Sequence, residues 1–185
     1  MRVMAANDLH LVTEWALTAP PEAIWAVLTH PEDWPSWWRA VEKVELIEPG
    51  DPEGLNVYRR FTWRTALPYR VRFAMRVTHV EPMSVIEGWA DGELSGVGRW
   101  TLTHYGQGTR VRYDWHVKLN SPWMRPLAPV LRSVFAWNHN KVMAWGHQGL
   151  ARKLAAESLA SSRAREEAPL LEQGAGVQSA IDDSR

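Results

Sequence analysis

At 185 residues, with 21 Lys+Arg balancing 21 Asp+Glu and no cysteine, the chain has the length of one domain with a substantial core plus a tail. Zero formal net charge leaves no electrostatic footprint for nucleic acid or an anionic membrane surface. The absence of cysteine excludes a disulfide framework, thiolate zinc ligation and a cysteine nucleophile, and fits a reducing, cytoplasmic setting.

No apolar run approaches the roughly 20 residues that cross a bilayer, and residues 1–15 lack the apolar centre of a signal peptide. From Leu9 to Leu17 the alternation predicts a strand. A helix follows. Pro21 suits its first turn, Glu22 the positive end of its dipole, and Ile24, Val27 and Leu28 repeat at helical spacing until Pro31 ends it. Trp34, Trp37 and Trp38 then share one face of a short helix over 34–39. A short strand from Lys43 runs into a Pro- and Gly-rich turn. Five strands come next, 57–65, 70–80, 84–91, 94–105 and 109–119, each joined to the next by a short turn that favours a hairpin. From Pro126 the period becomes helical, with Leu127, Leu131, Val134, Trp137, Val142 and Trp145 recurring along one long helix. Residues 159–185 carry no aromatics and no pattern and read as a disordered tail. The expected organisation is therefore a domain over 1–158 and a tail over 159–185.

Three segments carry a resemblance: APPEAIWAVLTHPEDWPSWW (19–38), GELSGVGRWTL (92–102) and GTRVRYDWHV (108–117), followed by the tryptophan-bearing terminal helix. Together they resemble the START-like or SRPBCC superfamily, in its polyketide cyclase/dehydrase branch, whose fold the birch pollen allergen shares. The resemblance covers residues 9 to about 155. It implies an α+β helix-grip fold: a curved antiparallel seven-stranded sheet wrapped around a long C-terminal helix, with two short helices between strands 1 and 2. It implies an internal hydrophobic cavity, and no fixed catalytic set and no cofactor.

Side-chain parity then assigns the concave face. Pairing 57–65 with 70–80 sets Phe61 opposite Phe73, Trp63 opposite Val71 and Arg59 near Met75. Carrying the register onward puts Val85, Glu87, Trp89 and Asp91 on the same face. A parity change at the DGEL turn adds Gly96, Gly98, Trp100 and Leu102, and the next hairpin adds Val111, Tyr113, Trp115, Val117 and Leu119. Gly96 and Gly98 either leave space inside or relieve sheet curvature. Arg59 and Glu87 are either an internal ion pair or a polar anchor for a ligand. On the long helix Leu127, Val134, Asn138, Lys141 and Trp145 fall within about 60° of one another, with Lys141 either snorkelling to the cavity mouth or meeting Glu87, Asp91 or a ligand. The arginine-rich opposite face reads as solvated, or as a docking patch for an acidic partner or phospholipid headgroups.

The histidines offer no metal site on this reading. His139 and His147 are badly placed on the helix, His104 and His116 lie on opposite sheet faces, and His10, His30 and His79 have no evident partner. Phosphate-loop and nucleophile-elbow motifs are missing.

The leading expectation is a binding protein for a hydrophobic, aromatic or polycyclic small molecule or lipid. Trp38, Trp63, Trp89, Trp100, Tyr113, Trp115 and Trp145 would form walls, and Arg59, Glu87, Asn138 and Lys141 would orient a polar end. The first alternative is a cyclase or dehydratase acting on a polyketide-like substrate, with Glu87 or Asp91 as base and Arg59 stabilising an enolate. The second is a protein-interaction module whose cavity is filled. Oligomeric state is open.

Overall fold

The computed structural model describes the backbone of residues 8–120 and 128–182, and the side chains of residues 8–120 and 133–165. It divides into two units, Met1–Leu150 and Ala151–Arg185.

Seven strands make one antiparallel sheet: β1 (Asp8–Leu17), β2 (Val41–Glu48), β3 (Tyr58–Arg64), β4 (Arg70–Glu81), β5 (Val85–Gly92), β6 (Leu94–Tyr105) and β7 (Gly108–Leu119). The order is β1-β7-β6-β5-β4-β3-β2, a meander from β2 to β7 that β1 closes on one side. Between β1 and β2 lie α1 (Pro21–Leu28), a 3-10 turn (Pro31–Asp33) and α2 (Trp34–Trp37). The helix α3 (Ala128–Asp182) completes the chain. This is the α+β helix-grip architecture that the segment order implies. Leu127, expected on the helix stripe, lies outside the described residues, as does the side chain of Leu131.

The α1 signals act as they read. Pro21 opens the helix, Glu22 sits in its first turn, and Ile24, Val27 and Leu28 are its buried face. The three tryptophans after it are all buried, Trp38 completely. Trp34 donates its Nε1–H to the Val27 carbonyl of α1 at 3.2 Å, and within the first unit Trp37 and Trp38 meet α3. Trp38 donates its Nε1–H to the Val142 carbonyl at 2.9 Å. A Cβ built on Gly146 would run into the Trp38 ring, and one on Gly149 into the Trp37 carbonyl oxygen. Two glycines three residues apart thus open a slot in α3 that α2 fills.

Those glycines also turn the helix. Within the first unit its buried positions among the described side chains are Phe135, Asn138, Val142, Met143, Gly146, Gly149 and Leu150. The stripe expected through Lys141 and Trp145 is about one residue out of phase with them. Lys141 is exposed, Trp137 is 47% exposed, and Trp145 packs under the Arg39 guanidinium, 4.6 Å from the ring centroid. A hydrophobicity count is drawn to the large indoles, whereas close packing favours the glycines. In the second unit α3 continues to Asp182, through 159–182, where the sequence shows no amphipathic pattern. The Ala, Leu, Glu, Gln and Arg that fill this segment are individually good helix formers.

Of the five strands to which parity gives a concave face, β3, β4, β6 and β7 match it and β5 departs. Phe61 faces Phe73, Trp63 faces Val71 and Arg59 faces Met75 across β3–β4. Trp100 faces Tyr113 and Leu102 faces Val111 across β6–β7. β5 is reversed. Near the β4–β5 turn the pairing is the expected one, His79 with Glu87 and Glu81 with Val85. A register shift between Val77 and His79 then leaves Thr78 unmatched, so Val77 pairs with Gly88 and Met75 with Ala90. Gly88 and Ala90 therefore share the inner face with Met75, and Glu87, Trp89 and Asp91 turn to the convex side. At β5–β6 Gly88 pairs with Gly98 and Ala90 with Gly96, so the parity change expected at the DGEL turn is missing. Two one-residue errors cancel, and β6 and β7 come out as read.

Candidate functional site: an aromatic cavity between sheet and helix

Between the concave face and α3 lies a cavity of about 140 Å³. Six of the expected site residues line it: Trp38, Trp63, Trp100, Tyr113, Trp115 and Asn138. Their rings form a connected wall. Trp100 stacks on Tyr113 at 4.2 Å, Tyr113 meets Trp115 edge-on at 5.2 Å, and Trp38 meets Trp63 at right angles at 5.0 Å. Such offset and edge-to-face contacts add to the burial energy of each ring. Phe61, Phe73, Met75 and Phe135 are among the other apolar residues of the lining.

The other expected residues lie elsewhere, each for a visible reason. Arg59 is on the inner face, but its Nε donates to Glu32 Oε1 of the 3-10 turn at 2.6 Å; the helical insert supplies the partner that β5 was expected to provide. Glu87, turned outward by the β4 bulge, pairs with Arg99 at 3.0 Å. Asp91 accepts the Tyr58 hydroxyl on both oxygens at 3.1 Å, also on the convex side. Trp89 stands 50% exposed there. Lys141 and Trp145 are off the buried stripe of α3. The constellation of Arg59 with Glu87 or Asp91 on one face therefore does not form.

Of the two parts open to Gly96 and Gly98, leaving space or relieving curvature, the first fails at Gly98. At Gly98 the room left by the missing side chain is taken by Tyr113, whose hydroxyl lies 2.5 Å from where a Cβ would stand, and by Met75 Cε at 3.2 Å. Gly98 lets the phenol lie across β6. It does not leave the space open.

Among the described residues the polar groups at the cavity are few, and all but Arg64 are uncharged. Asn138 on α3 accepts the Ala66 N–H on Oδ1 at 2.7 Å. A backbone donor fixes the oxygen there, so the amide nitrogen is the free end of that side chain. His139, the next residue, also lines the cavity, and its Nε2 lies 3.0 Å from Thr13 Oγ1 of β1. Burial pushes its pKa down to about 4, so the imidazole is neutral near pH 7. Burial raises the Tyr113 phenol well above its usual range, which keeps it a hydroxyl donor. Thr65 donates to the carbonyls of Leu67 and Tyr69, both at 2.9 Å, and so spends its hydroxyl on the β3–β4 turn. Arg64 is the charged exception in the lining, and Glu42 holds its guanidinium outside at 3.1 Å. The Trp63 Nε1–H is buried without a partner, an unmet donor in an otherwise apolar wall.

Sequence reasoning misses His139. Helical spacing weighs it only as a metal ligand against His147, and nothing in a single sequence brings Thr13 to it across 126 positions. It also misses that His10 has a partner. The two rings of His10 and His116 stack with centroids 3.7 Å apart on the convex face.

Residues 9–156 match the family model described as polyketide cyclase/dehydrase and lipid transport. The chain belongs to that family. Its likenesses among solved structures are those of a polyketide cyclase/dehydrase-type helix-grip fold. A Thermus thermophilus protein, TTHA0849, is 21% identical with a TM-score of 0.65, over 81% of this chain and 99% of that one. The Zhui aromatase/cyclase from a Streptomyces species is 14% identical with a TM-score of 0.62, over 80% of this chain and 94% of that one. Ara h 8.0201 is 12% identical with a TM-score of 0.59, over 80% of this chain and 99% of that one. At these identities the likeness is one of fold. No curated protein matches the chain. Among the described residues no helix is long and apolar enough to cross a membrane.

Proposed function

We propose that this member of the polyketide cyclase/dehydrase and lipid transport family binds a neutral, aromatic small molecule in the cavity between β-sheet and α3. One observation carries the reading: a space of about 140 Å³ walled by stacked indoles and phenyl rings and edged by uncharged polar groups. Ligand sites in general are apolar with a few placed polar groups. An apolar cavity of about 150 Å³ takes up benzene, so a ligand of one or two rings suits this one. A polycyclic or long-chain ligand requires the walls to move apart. Trp38, Trp63, Trp100, Tyr113 and Trp115 act as walls. The Asn138 amide nitrogen and the Tyr113 hydroxyl donate to the ligand's oxygen. The unfilled space gives the filled-cavity interaction module no support. A cytoplasmic location belongs to the same proposal and rests on the cysteine-free composition.

The test is native mass spectrometry of the chain as purified, followed by quenching of tryptophan emission with phenol, naphthol and flavonoid probes. Expected are a co-purified small molecule or saturable quenching with a raised melting temperature. No adduct, no quenching and no thermal shift across the panel would overturn the reading.

A second reading, supported by the family and its aromatase/cyclase fold relatives, is catalysis at the same cavity. With Glu87 and Asp91 outside, the groups available are His139 as a neutral hydrogen-bond acceptor and the Tyr113 hydroxyl polarising a carbonyl. A substrate turned over by the native chain, bound by His139→Gln and not turned over by it, would favour this reading over binding alone.

A further inference from the structure

The convex face of the sheet, on the far side from the cavity, carries a second cluster. β1 and β7 pair antiparallel, with His10 directly opposite His116 and Val12 opposite Asp114. Positions 10, 114 and 116 therefore project from the same face. Directly opposed residues keep their Cβ atoms about 4.5–5.5 Å apart, so the backbone already brings the two imidazoles together. Asp114 Oδ1 lies 3.6 Å from His10 Nε2. One ligand atom from each of the three side chains falls within 4.8 Å of the other two. His10 and His116 are exposed and Asp114 is half-buried.

We propose that His10, His116 and Asp114 form a binding site for a divalent transition-metal ion of the zinc, copper or nickel type. Imidazole nitrogen suits these ions, and two imidazoles with one carboxylate leave a further position for water. Calcium and magnesium are disfavoured because they take mostly oxygen ligands. Bonds of about 2.1 Å in tetrahedral geometry put ligand atoms about 3.4 Å apart, closer than the present spread. Side-chain rotation supplies the difference. Face-to-face rings cannot aim two lone pairs at one point, so one ring must swing out of the stack. His10, with a side chain 41% exposed, has room to do so.

The surrounding charges leave the ligands available. Arg112 donates to both oxygens of Asp114, at 2.7 and 2.9 Å, and keeps the carboxylate ionised. A carboxylate offers about four lone-pair positions, so a bidentate arginine leaves some for a metal. Each cation near the site already has a carboxylate of its own: Arg112 meets Glu14 at 2.9 Å, Arg99 meets Glu87 at 3.0 Å, and Lys118 meets Asp8 at 3.9 Å. Local repulsion of a second cation is thereby reduced. Because β1 is an edge strand, an ion held by both histidines would tie that edge to β7 and favour the folded chain.

The inference is independent of the cavity reading. It is tested on the untagged full chain, stripped of metal and titrated separately with Zn(II) by calorimetry and with Co(II) by visible absorption. The expected result is one saturable equivalent, visible Co(II) bands of low coordination number and a melting temperature raised by Zn(II). His10→Gln and His116→Gln should each weaken binding at least tenfold and remove the thermal shift while the far-ultraviolet dichroism stays native. His79→Gln, which disturbs a histidine on β4 paired with Glu81 at 2.9 Å, should change nothing. The absence of saturable binding by the native chain, or equal binding by the His10→Gln/His116→Gln double variant, would overturn the site.

Discussion

Trp38 and Gly146 occupy one place in the fold: the indole of the first fills the volume that a side chain on the second would need. The same indole donates to the Val142 carbonyl, one turn earlier on α3. A single residue therefore seals the junction between α2 and α3 and forms part of the cavity wall.

This relationship sets the sign of a glycine substitution. Replacing glycine by alanine inside a helix ordinarily stabilises by about 1 kcal/mol. At Gly146 the new methyl would meet the Trp38 ring, and overpacking of that kind costs about 1–3 kcal/mol. Gly146→Ala is expected to lower the urea midpoint, with the slope unchanged. An increase would show that the ring can move aside.

Trp38 itself can be truncated in two steps. Trp38→Ala removes a fully buried indole and should cost about 3–5 kcal/mol. Trp38→Phe retains most of the ring area and gives up the bond to Val142, whose carbonyl sits in a helix and keeps a helical acceptor role. Its cost should be nearer 1–2 kcal/mol, about that of one hydrogen bond and a small void. Equal losses in chemical denaturation would mean that the hydrogen bond, and not the packing, dominates.

His139 makes stability depend on pH. Its pKa is pushed down to about 4 by burial, against about 6.5 in the unfolded chain. The unfolded state therefore binds the proton first. Above about pH 6.5 neither state is protonated and nothing is lost. Between about 6.5 and 4 stability falls as pH falls, by up to about 3 kcal/mol. Below about 4 both states are protonated and the loss levels off. His139→Gln should flatten the melting-temperature profile in that window. An unchanged profile would assign the acid sensitivity to other groups.

Glu87 separates the expected site from the observed one. Its carboxylate serves a convex-face pair with Arg99, and partly exposed pairs contribute about 0–1 kcal/mol. Glu87→Gln should leave ligand quenching unchanged and stability nearly so. Tyr113→Phe, by contrast, should weaken a ligand that bears an oxygen acceptor and spare one that does not. If Glu87→Gln alone impairs binding, the face assignment of β5 is wrong.

By itself the sequence determined the strands, their hairpin order, the α1 start and the aromatic content of the concave face. Alternation and turn residues are local, and local chemistry suffices to set them. Pairings such as Phe61 with Phe73 follow from matching apolar faces across one short turn. What only the tertiary structure decided was non-local. An unmatched Thr78 carries no compositional mark, yet it turns Glu87, Trp89 and Asp91 outward, because a one-residue slip inverts every side chain beyond it. Glycines at 146 and 149 add nothing to a hydrophobic count, yet they choose the helix face, because close packing rewards the place where α2 fits. His10 meets His116 only once β1 has joined β7, and His139 meets Thr13 only once α3 has packed across β1, 126 positions away.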